Sequence, residues 1–490
     1  MKMNEAKVEE KQEIEKTKLT KELEEILPPA HVSTDMYDIE ATSGDLSLLS
    51  KYHYKFKQEY QATHVVRPGT TEELSNVMKK CREYSIPMTI RAAGTSCYSS
   101  STPTNGGVII DMRRMDKVYE IDANNKTVRC GAGISWLRLI EALLEYGLGP
   151  KCYPTSYKAS CVGGFVVTSG KVGIGVLKNG IMKDAIKSLV FVKPDGSVET
   201  ISRTSQGDLT LDDIIGSFGI FGAVAEVELE VTSLNTSMEM VGYGFKTFKM
   251  AAEFFRTLKN NNASKPFFLS VSDQSFEKYA HWTFPSRAYF VYAVYSDDPS
   301  ATSQSVSFAK DAASKLDGLD VEEWYLKEKW RDIADTEVNV GRWCQNLVFQ
   351  EYWVSDNRIE EFYNFYMEKT SKQRYRNAFY LMSGAKGGNR IKLFGLSDIK
   401  DSREFFGIKA VFNDITINNY ENKDSLYTLG VVNTFYFLKY EPEKAESLRK
   451  MKNKIDPEDL VNEYRLVKAK MRTWRVGLLF WIAKRLYRTA

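Results

Sequence analysis

The sequence predicts an α+β chain built from more than one folding unit, and three observations carry that reading. At 490 residues the chain exceeds one ordinary core, since domains hold roughly 100–200 residues. From residue 63 onward, short apolar runs alternate with helical periodicity in a β-α-β order. Near residue 235 the texture shifts to long helices and aromatic-rich strands, the mixture of a second α+β unit packed on the first.

The elements follow in order. Residues 5–26 read as a solvated, charge-rich helix stopped by Pro28 and Pro29. His64 to Pro68 is a short strand, and Thr70 caps a helix with acids in its first turn that runs to Tyr84. Further strands are expected at Met88 to Arg91, Val108 to Asp111 and Lys126 to Cys130. Residues 135–146 form a helix with Trp136, Leu139, Ile140 and Leu143 on one face, ended by Gly147 to Gly149. Ser188–Val192 and Ser197–Ser202 flank a Lys193 to Gly196 turn as a hairpin, and Val224 to Val231 is an alternating strand. Beyond it, strands are expected near 240–245, 267–271, 289–295 and 348–354. The divisions are 1–30 as a charged tail, 31–235 and 236–445 as the two large units, 446–470 as a returning segment, and 471–490 as a terminal helix.

Composition removes several function classes. The formal charge is +3 and both signs are mixed along the chain, so bulk charge indicates no nucleic-acid partner. The six cysteines include no CxxC pair, which argues against an iron–sulfur cluster or structural zinc and for reduced, mostly buried thiols. Residues 1–27 lack the apolar stretch of a signal peptide. With no transmembrane-length apolar run either, the expected location is the cytoplasm or the cytoplasmic face of a membrane.

Three glycine-rich stretches suggest a bound cofactor. Arg91-Ala92-Ala93-Gly94-Thr95-Ser96 follows a strand and is small-sided after the arginine, so successive N–H groups can form a nest for a diphosphate. Cys161-Val162-Gly163-Gly164 through Thr168-Ser169-Gly170, followed by Lys178-Asn179-Gly180 and Asp184, offers backbone that can lie against a flat ring, with hydroxyl donors beside it. Gly216 to Val224 is a glycine-spaced turn into a strand. The Rossmann fingerprint and the Walker A lysine are both missing, which disfavours nicotinamide dehydrogenases and NTPases.

With Gly106 to Met115 between the first two stretches, this order resembles the FAD-binding domain of the vanillyl-alcohol oxidase type, nearest the glycolate oxidase and D-lactate (D-2-hydroxyacid) dehydrogenase branch. The resemblance spans residues 64–231. It implies a two-subdomain FAD-binding domain of the PCMH type followed by an α+β substrate cap domain. It also implies that Ala92, Ala93, Gly94, Thr95 and Ser96 hold the pyrophosphate. Pro154, Cys161, Gly163, Gly164, Thr168, Ser169, Gly170, Asp184 and Val224 complete the implied FAD set. Thr95 and Tyr157 stand where some relatives attach flavin covalently, so the FAD is expected to be non-covalent.

Toward the carboxyl end the resemblance continues through Gln350 to Val354 with Arg358 and Ile359, and through Ile455 to Asn462. The branch's metal segment corresponds to Ser383 to Ile391, where Gly384 and Ile391 replace the two histidine ligands. No metal site is therefore expected, since neither residue offers a lone pair. Arg331, Arg342, Arg390 and Lys392 are the candidates for binding a substrate carboxylate or phosphate. Tyr352 and Tyr380, or one of four histidines, are candidates for acid–base work.

Residues 471–490 carry five Lys/Arg and no acid among Trp, Leu and Phe, a pattern that suits a membrane surface as well as it suits packing on protein. The implied activity is an FAD-dependent oxidoreductase acting on CH–OH donors, with a small 2-hydroxy acid as substrate. A quinone or another electron acceptor would receive the electrons. A sugar or lipid alcohol as substrate, or a non-catalytic flavin-binding subunit of a larger complex, remain open alternatives.

Overall fold

The computed structural model describes residues 16–47, 61–168, 170–281, 287–343, 346–371, 373, 375–385, 387–397 and 402–469. Three sheets organise them. The first contains β1 (Val32–Ser33), β2 (His64–Val66), β3 (Met88–Arg91) and β4 (Val108–Asp111) in the order β1-β2-β4-β3. β2 and β3 both run parallel to β4, as the β-α-β order requires. The intervening Thr71–Glu83 helix is capped by Thr70, whose side chain accepts from the Glu73 N–H. It buries Leu74, Val77, Met78 and Cys81 on one face.

The second sheet holds β5 (Val118–Asp122), β6 (Thr127–Gly131), β7 (Leu148–Pro150), β8 (Ile186–Val192), β9 (Val198–Ser202) and β10 (Ala223–Ser233). Its order is β5-β6-β10-β8-β9, with β7 also paired to β10. β8 and β9 form the expected hairpin. β5 escaped the sequence reading because its residues are all half-buried or exposed, leaving no apolar run to detect. Packed beneath this sheet, the Trp136–Leu144 helix buries Trp136, Leu139 and Leu143.

The third sheet has eight strands: β11 (Ser237–Phe245), β12 (Phe268–Asp273), β13 (Tyr289–Asp297), β14 (Leu319–Asp320), β15 (Asn346–Ser355), β16 (Arg376–Ser383), β17 (Gly388–Ser397) and β18 (Ser425–Leu426). Their order is β14-β11-β13-β12-β16-β17-β15-β18. Side chains alternate between two buried faces. Val348, Tyr352 and Val354 of β15, with Ile391 and Leu393 of β17, join one core together with Phe254, Phe362 and Ile408 from helices. Phe394 and Leu396 of β17, with Met382 of β16, join the opposite core with Phe276 and Tyr325. Burial on both faces removes the polar–apolar alternation on which strand detection relies, and β16 and β17 were not read from the sequence. Within Ser383 to Ile391, the counterpart of the metal segment, Ser383 ends β16 and Gly388 to Ile391 begin β17.

Candidate active site

A cavity of about 700 Å³ is lined by all three glycine-rich stretches and by the third sheet. The first stretch leaves β3 and turns at Gly94, whose φ of 69° lies in the left-handed region that a side chain would strain. A Cβ at Gly94 would also collide with the Arg91 guanidinium, which lies directly beneath the turn. Arg91 is buried, and its Nη1 donates to the Gly44 carbonyl at 2.7 Å and to Ser101 Oγ at 3.4 Å. Its Nε is buried without a hydrogen-bond partner, and burial pushes its pKa down. The Leu46 N–H donates to the Ser96 carbonyl at 2.8 Å, so residues 44–47 brace the loop from outside.

The second stretch was read as paired glycines whose backbone lies against a flat ring, with no helix assigned to it. It is instead a short helix, Val162–Val167, that starts after Cys161. Gly163 is needed for close packing, since its N–H donates to the Ala132 carbonyl at 2.8 Å and a Cβ would press on Ala132. Gly164 meets only the Ala92 side chain and leaves the cavity side open. Thr168 Oγ1 donates back to the Gly164 carbonyl at 2.9 Å. Burial pushes the Cys161 thiol up to about 11, which leaves it protonated and inert.

Asn462 ties the third stretch to the first sheet. Its Nδ2 donates to the carbonyls of Phe218 at 3.2 Å and Gly219 at 3.0 Å, while its Oδ1 accepts from the Ile90 N–H at 3.0 Å. The returning carboxyl-terminal segment thus stitches two subdomains together at the cavity floor, a role the sequence reading did not assign to Asn462.

Of the residues implied to hold FAD, Ala92, Ala93, Gly94, Thr95, Ser96, Pro154, Cys161, Gly163, Gly164, Thr168 and Val224 line the cavity. Gly170 and Asp184 do not. Gly170 is buried against Met182 and the Phe165 ring, and Asp184 accepts from the Ile181 N–H at 3.1 Å to start the Met182–Ala185 helix. Ser169 lies outside the described residues.

The opposite wall is charged at one point. Glu351 on β15 and Lys392 on β17 are directly paired in the sheet, and both line the cavity although only 5% and 2% exposed. Glu351 Oε1 lies 3.4 Å from Lys392 Nζ and 3.3 Å from Arg390 Nη1, and its Oε2 accepts from Thr428 Oγ1 at 2.6 Å. Arg390, 9% exposed, lies over the Tyr427 ring, and Lys392 over the Phe349 ring. Glu351, Tyr427 and Thr428 were missed as site residues. The available signal was an acid in register with apolar Leu347 and Phe349 on one strand face.

Two expectations are corrected here. Arg331 does not reach the cavity: its side chain is 67% exposed and pairs with Asp332 and Glu328 at the end of its helix. The residues just after it, Ile333, Ala334 and Asp335, turn inward instead, and Arg342 joins them in the lining. Tyr352 and Tyr380 are also away from the cavity. Tyr352 faces the opposite core, where its hydroxyl donates to the Phe412 carbonyl at 3.2 Å and burial pushes its pKa up. Tyr380 is stacked on Phe276. Neither His31 nor His64 lines the cavity, His53 lies outside the described residues, and so does the placement of the His281 side chain. Among the described residues no group of three or more His, Cys, Asp or Glu is arranged to hold a metal ion.

The first loop fits the FAD diphosphate on its own chemistry. A buried guanidinium with an unpartnered Nε lies under a turn whose glycine admits close approach, and burial disfavours its charge unless an anion compensates it. The small residues Ala92, Ala93 and Gly164 keep the floor open for a flat group.

Comparison with known proteins agrees. Residues 62–202 match the FAD binding domain family. The chain is similar to the D-lactate dehydrogenase of Archaeoglobus fulgidus, 29% identical over 38% of this chain and 42% of that one. It is also similar to the glycolate oxidase subunit GlcD of Bacillus subtilis, 27% identical over 51% and 55%. The chain thus spans about half the length of these curated relatives. In fold it is similar to p-cresol methylhydroxylase, with a TM-score of 0.76, 14% identity, and coverage of 92% of this chain and 97% of that one. Residues 62–202 are therefore an FAD-binding domain of the PCMH type, and FAD is the cofactor of this chain.

Proposed function

We propose that the protein is an FAD-dependent oxidoreductase acting on a CH–OH donor, and that the donor is a 2-hydroxy acid. The observation that carries this reading is that the buried cations Arg390 and Lys392, both within 3.4 Å of Glu351, line the same cavity as the FAD-binding loops, on the wall opposite them. A substrate carboxylate entering the cavity meets these two cationic groups on its wall. The relatives named for D-lactate and glycolate support the same class.

FAD bound in the cavity supplies the hydride acceptor, flavin N5. The chain's own residues bind and orient. Arg390 and Lys392 hold the carboxylate, Glu351 fixes both cations, and Thr428 keeps Glu351 from rotating. The rings of Phe349, Phe394 and Tyr427 exclude water around these charges. With Thr95 and Tyr157 at the attachment positions of other flavoproteins, the FAD is held without a covalent bond. A cytoplasmic location, with peripheral membrane contact through residues 471–490 and a quinone as acceptor, belongs to the same proposal. Those residues lie outside the described ones, and among the described residues no helix is long and apolar enough to cross a membrane.

The test is anaerobic exposure of the FAD-loaded protein to 2-hydroxy acids of either chirality, and to neutral alcohols and sugars. Bleaching of the flavin by hydroxy acids alone supports the reading. Bleaching by neutral alcohols alone overturns it.

A further inference from the structure

The carboxyl-terminal segment that brings Asn462 to the cavity floor continues through alternate residues with left-handed backbone. Asn462, Tyr464 and Leu466 have φ of 50°, 60° and 57°. A side chain strains that region, and strain repeated at alternate positions persists only where the surroundings fix it. Thr104 Oγ1 donates to the Glu463 carbonyl at 3.1 Å, and the Leu466 N–H donates to Thr434 Oγ1 at 3.1 Å. Between these two ties Arg465 is turned inward and wholly buried.

Arg465 bears on the same loop as Arg91. Its Nε donates to the Ser100 carbonyl at 2.9 Å and its Nη2 to the Thr102 carbonyl at 3.1 Å. Arg91 Nη1 reaches Ser101 Oγ, the residue between them, at 3.4 Å. Ser100 and Ser101 line the cavity, whereas Arg465 does not. Each guanidinium keeps one buried nitrogen without a hydrogen-bond partner, Nε in Arg91 and Nη1 in Arg465.

Among the described residues neither guanidinium forms an ion pair. Asp45 is the acid whose charge reaches both, and its own carboxyl is pushed up by burial. Asp111, also near Arg91, is held by Arg113 at 2.6 Å and approached by Arg67 at 3.4 Å. Two desolvated cations around one wall are unfavourable unless an anion comes close. The doubly charged diphosphate of FAD is such an anion.

We infer that Arg465 is a second cation of the FAD diphosphate site: a positioning residue that fixes residues 100–102 and acts on the diphosphate through them, without lining the cavity. At an effective dielectric of about 20, a unit charge about 10 Å away changes affinity on the order of tenfold.

The experiment strips the full chain of flavin and titrates it with FAD, ADP and riboflavin, with dissociation constants from calorimetry. Arg465→Met is expected to weaken FAD and ADP alike by about tenfold or more and to leave riboflavin, which has no phosphate, unchanged. Arg465→Lys, which keeps the charge, should recover most of the FAD affinity. Melting temperatures of the flavin-free variants check folding. If Arg465→Met does not fold, Arg465→Gln, which keeps an amide donor without the charge, replaces it with the same expectations. Equal losses for riboflavin and ADP would mean that the change only disorders the loop, and would overturn the inference. Unchanged FAD affinity without the Arg465 charge would also overturn it, and a loss confined to Arg91→Met would leave Arg91 as the diphosphate cation.

Discussion

Glu351 and Lys392 face each other across β15 and β17 with 3.4 Å between carboxylate and ammonium, both nearly sealed from solvent, and Arg390 approaches the same carboxylate oxygen at 3.3 Å. This charged cluster on the cavity wall is where the proposed function places a substrate carboxylate.

Removing one cation should therefore act on the substrate and not on the flavin. Lys392→Met is expected to lower kcat/KM for the bleaching substrate by about 10- to 100-fold, the effect of losing one charge-assisted hydrogen bond, with FAD content unchanged. Arg331→Ala, at an exposed helix end outside the cavity, should stay within about twofold, as surface charges do. Steady-state kinetics of both variants checks this, and equal losses in the two would contradict the site.

The unpartnered Arg91 Nε beneath Gly94 predicts a cofactor phenotype. In wild type, added FAD should raise the melting temperature, because a ligand that binds only the folded state stabilises it. Arg91→Met should weaken FAD binding by about tenfold or more and shrink that rise. A full FAD-induced shift in the variant would remove Arg91 from the diphosphate site.

A pH effect follows from His64. Burial first, then the nearby Lys16 charge, lowers its pKa from 6.5 to about 4, with Thr20 and Thr63 hydroxyls on its two ring nitrogens at 3.0 and 2.8 Å. Between about 6.5 and about 4 the unfolded chain takes up the proton and the folded one resists it, so stability falls as pH falls through this window. The stability difference between wild type and His64→Gln should shrink by about 3 kcal/mol from pH 7 to pH 4, measured by denaturant unfolding at each pH.

Lys329 and Glu277 form an ion pair at 2.6 Å that is almost wholly buried, and Tyr325 Oη also donates to Glu277 at 2.5 Å. Lys329→Met removes this buried counter-charge from Glu277 and should cost about 3–5 kcal/mol in unfolding experiments. Glu277→Gln combined with Lys329→Met should recover much of that loss.

The flavin half was legible because its elements carry local signals: the Thr70 cap, the β8–β9 turn, and glycines at positions such as Gly94 where the backbone demands them. The cap's site was only half legible. Arg390 and Lys392 were found through a failed metal motif, while Glu351 was hidden inside an apolar strand and Thr428 in a loop. Their meeting is set by the β15–β17 register, a long-range pairing that local sequence does not encode. Arg331 misled because a charge at a helix end looks the same whether it faces a cavity or water. The helix at Val162–Val167 was missed because two glycines disfavour helix, and close packing of Gly163 on Ala132 outweighs that preference.

The most direct test of the account is the anaerobic reduction of bound FAD by a 2-hydroxy acid in wild type and in Arg390→Met/Lys392→Met. The account predicts saturable bleaching in wild type and a loss of about 100-fold or more in apparent affinity in the double variant, at equal FAD content. Equal bleaching in the two proteins, or bleaching of wild type by neutral alcohols alone, would contradict it.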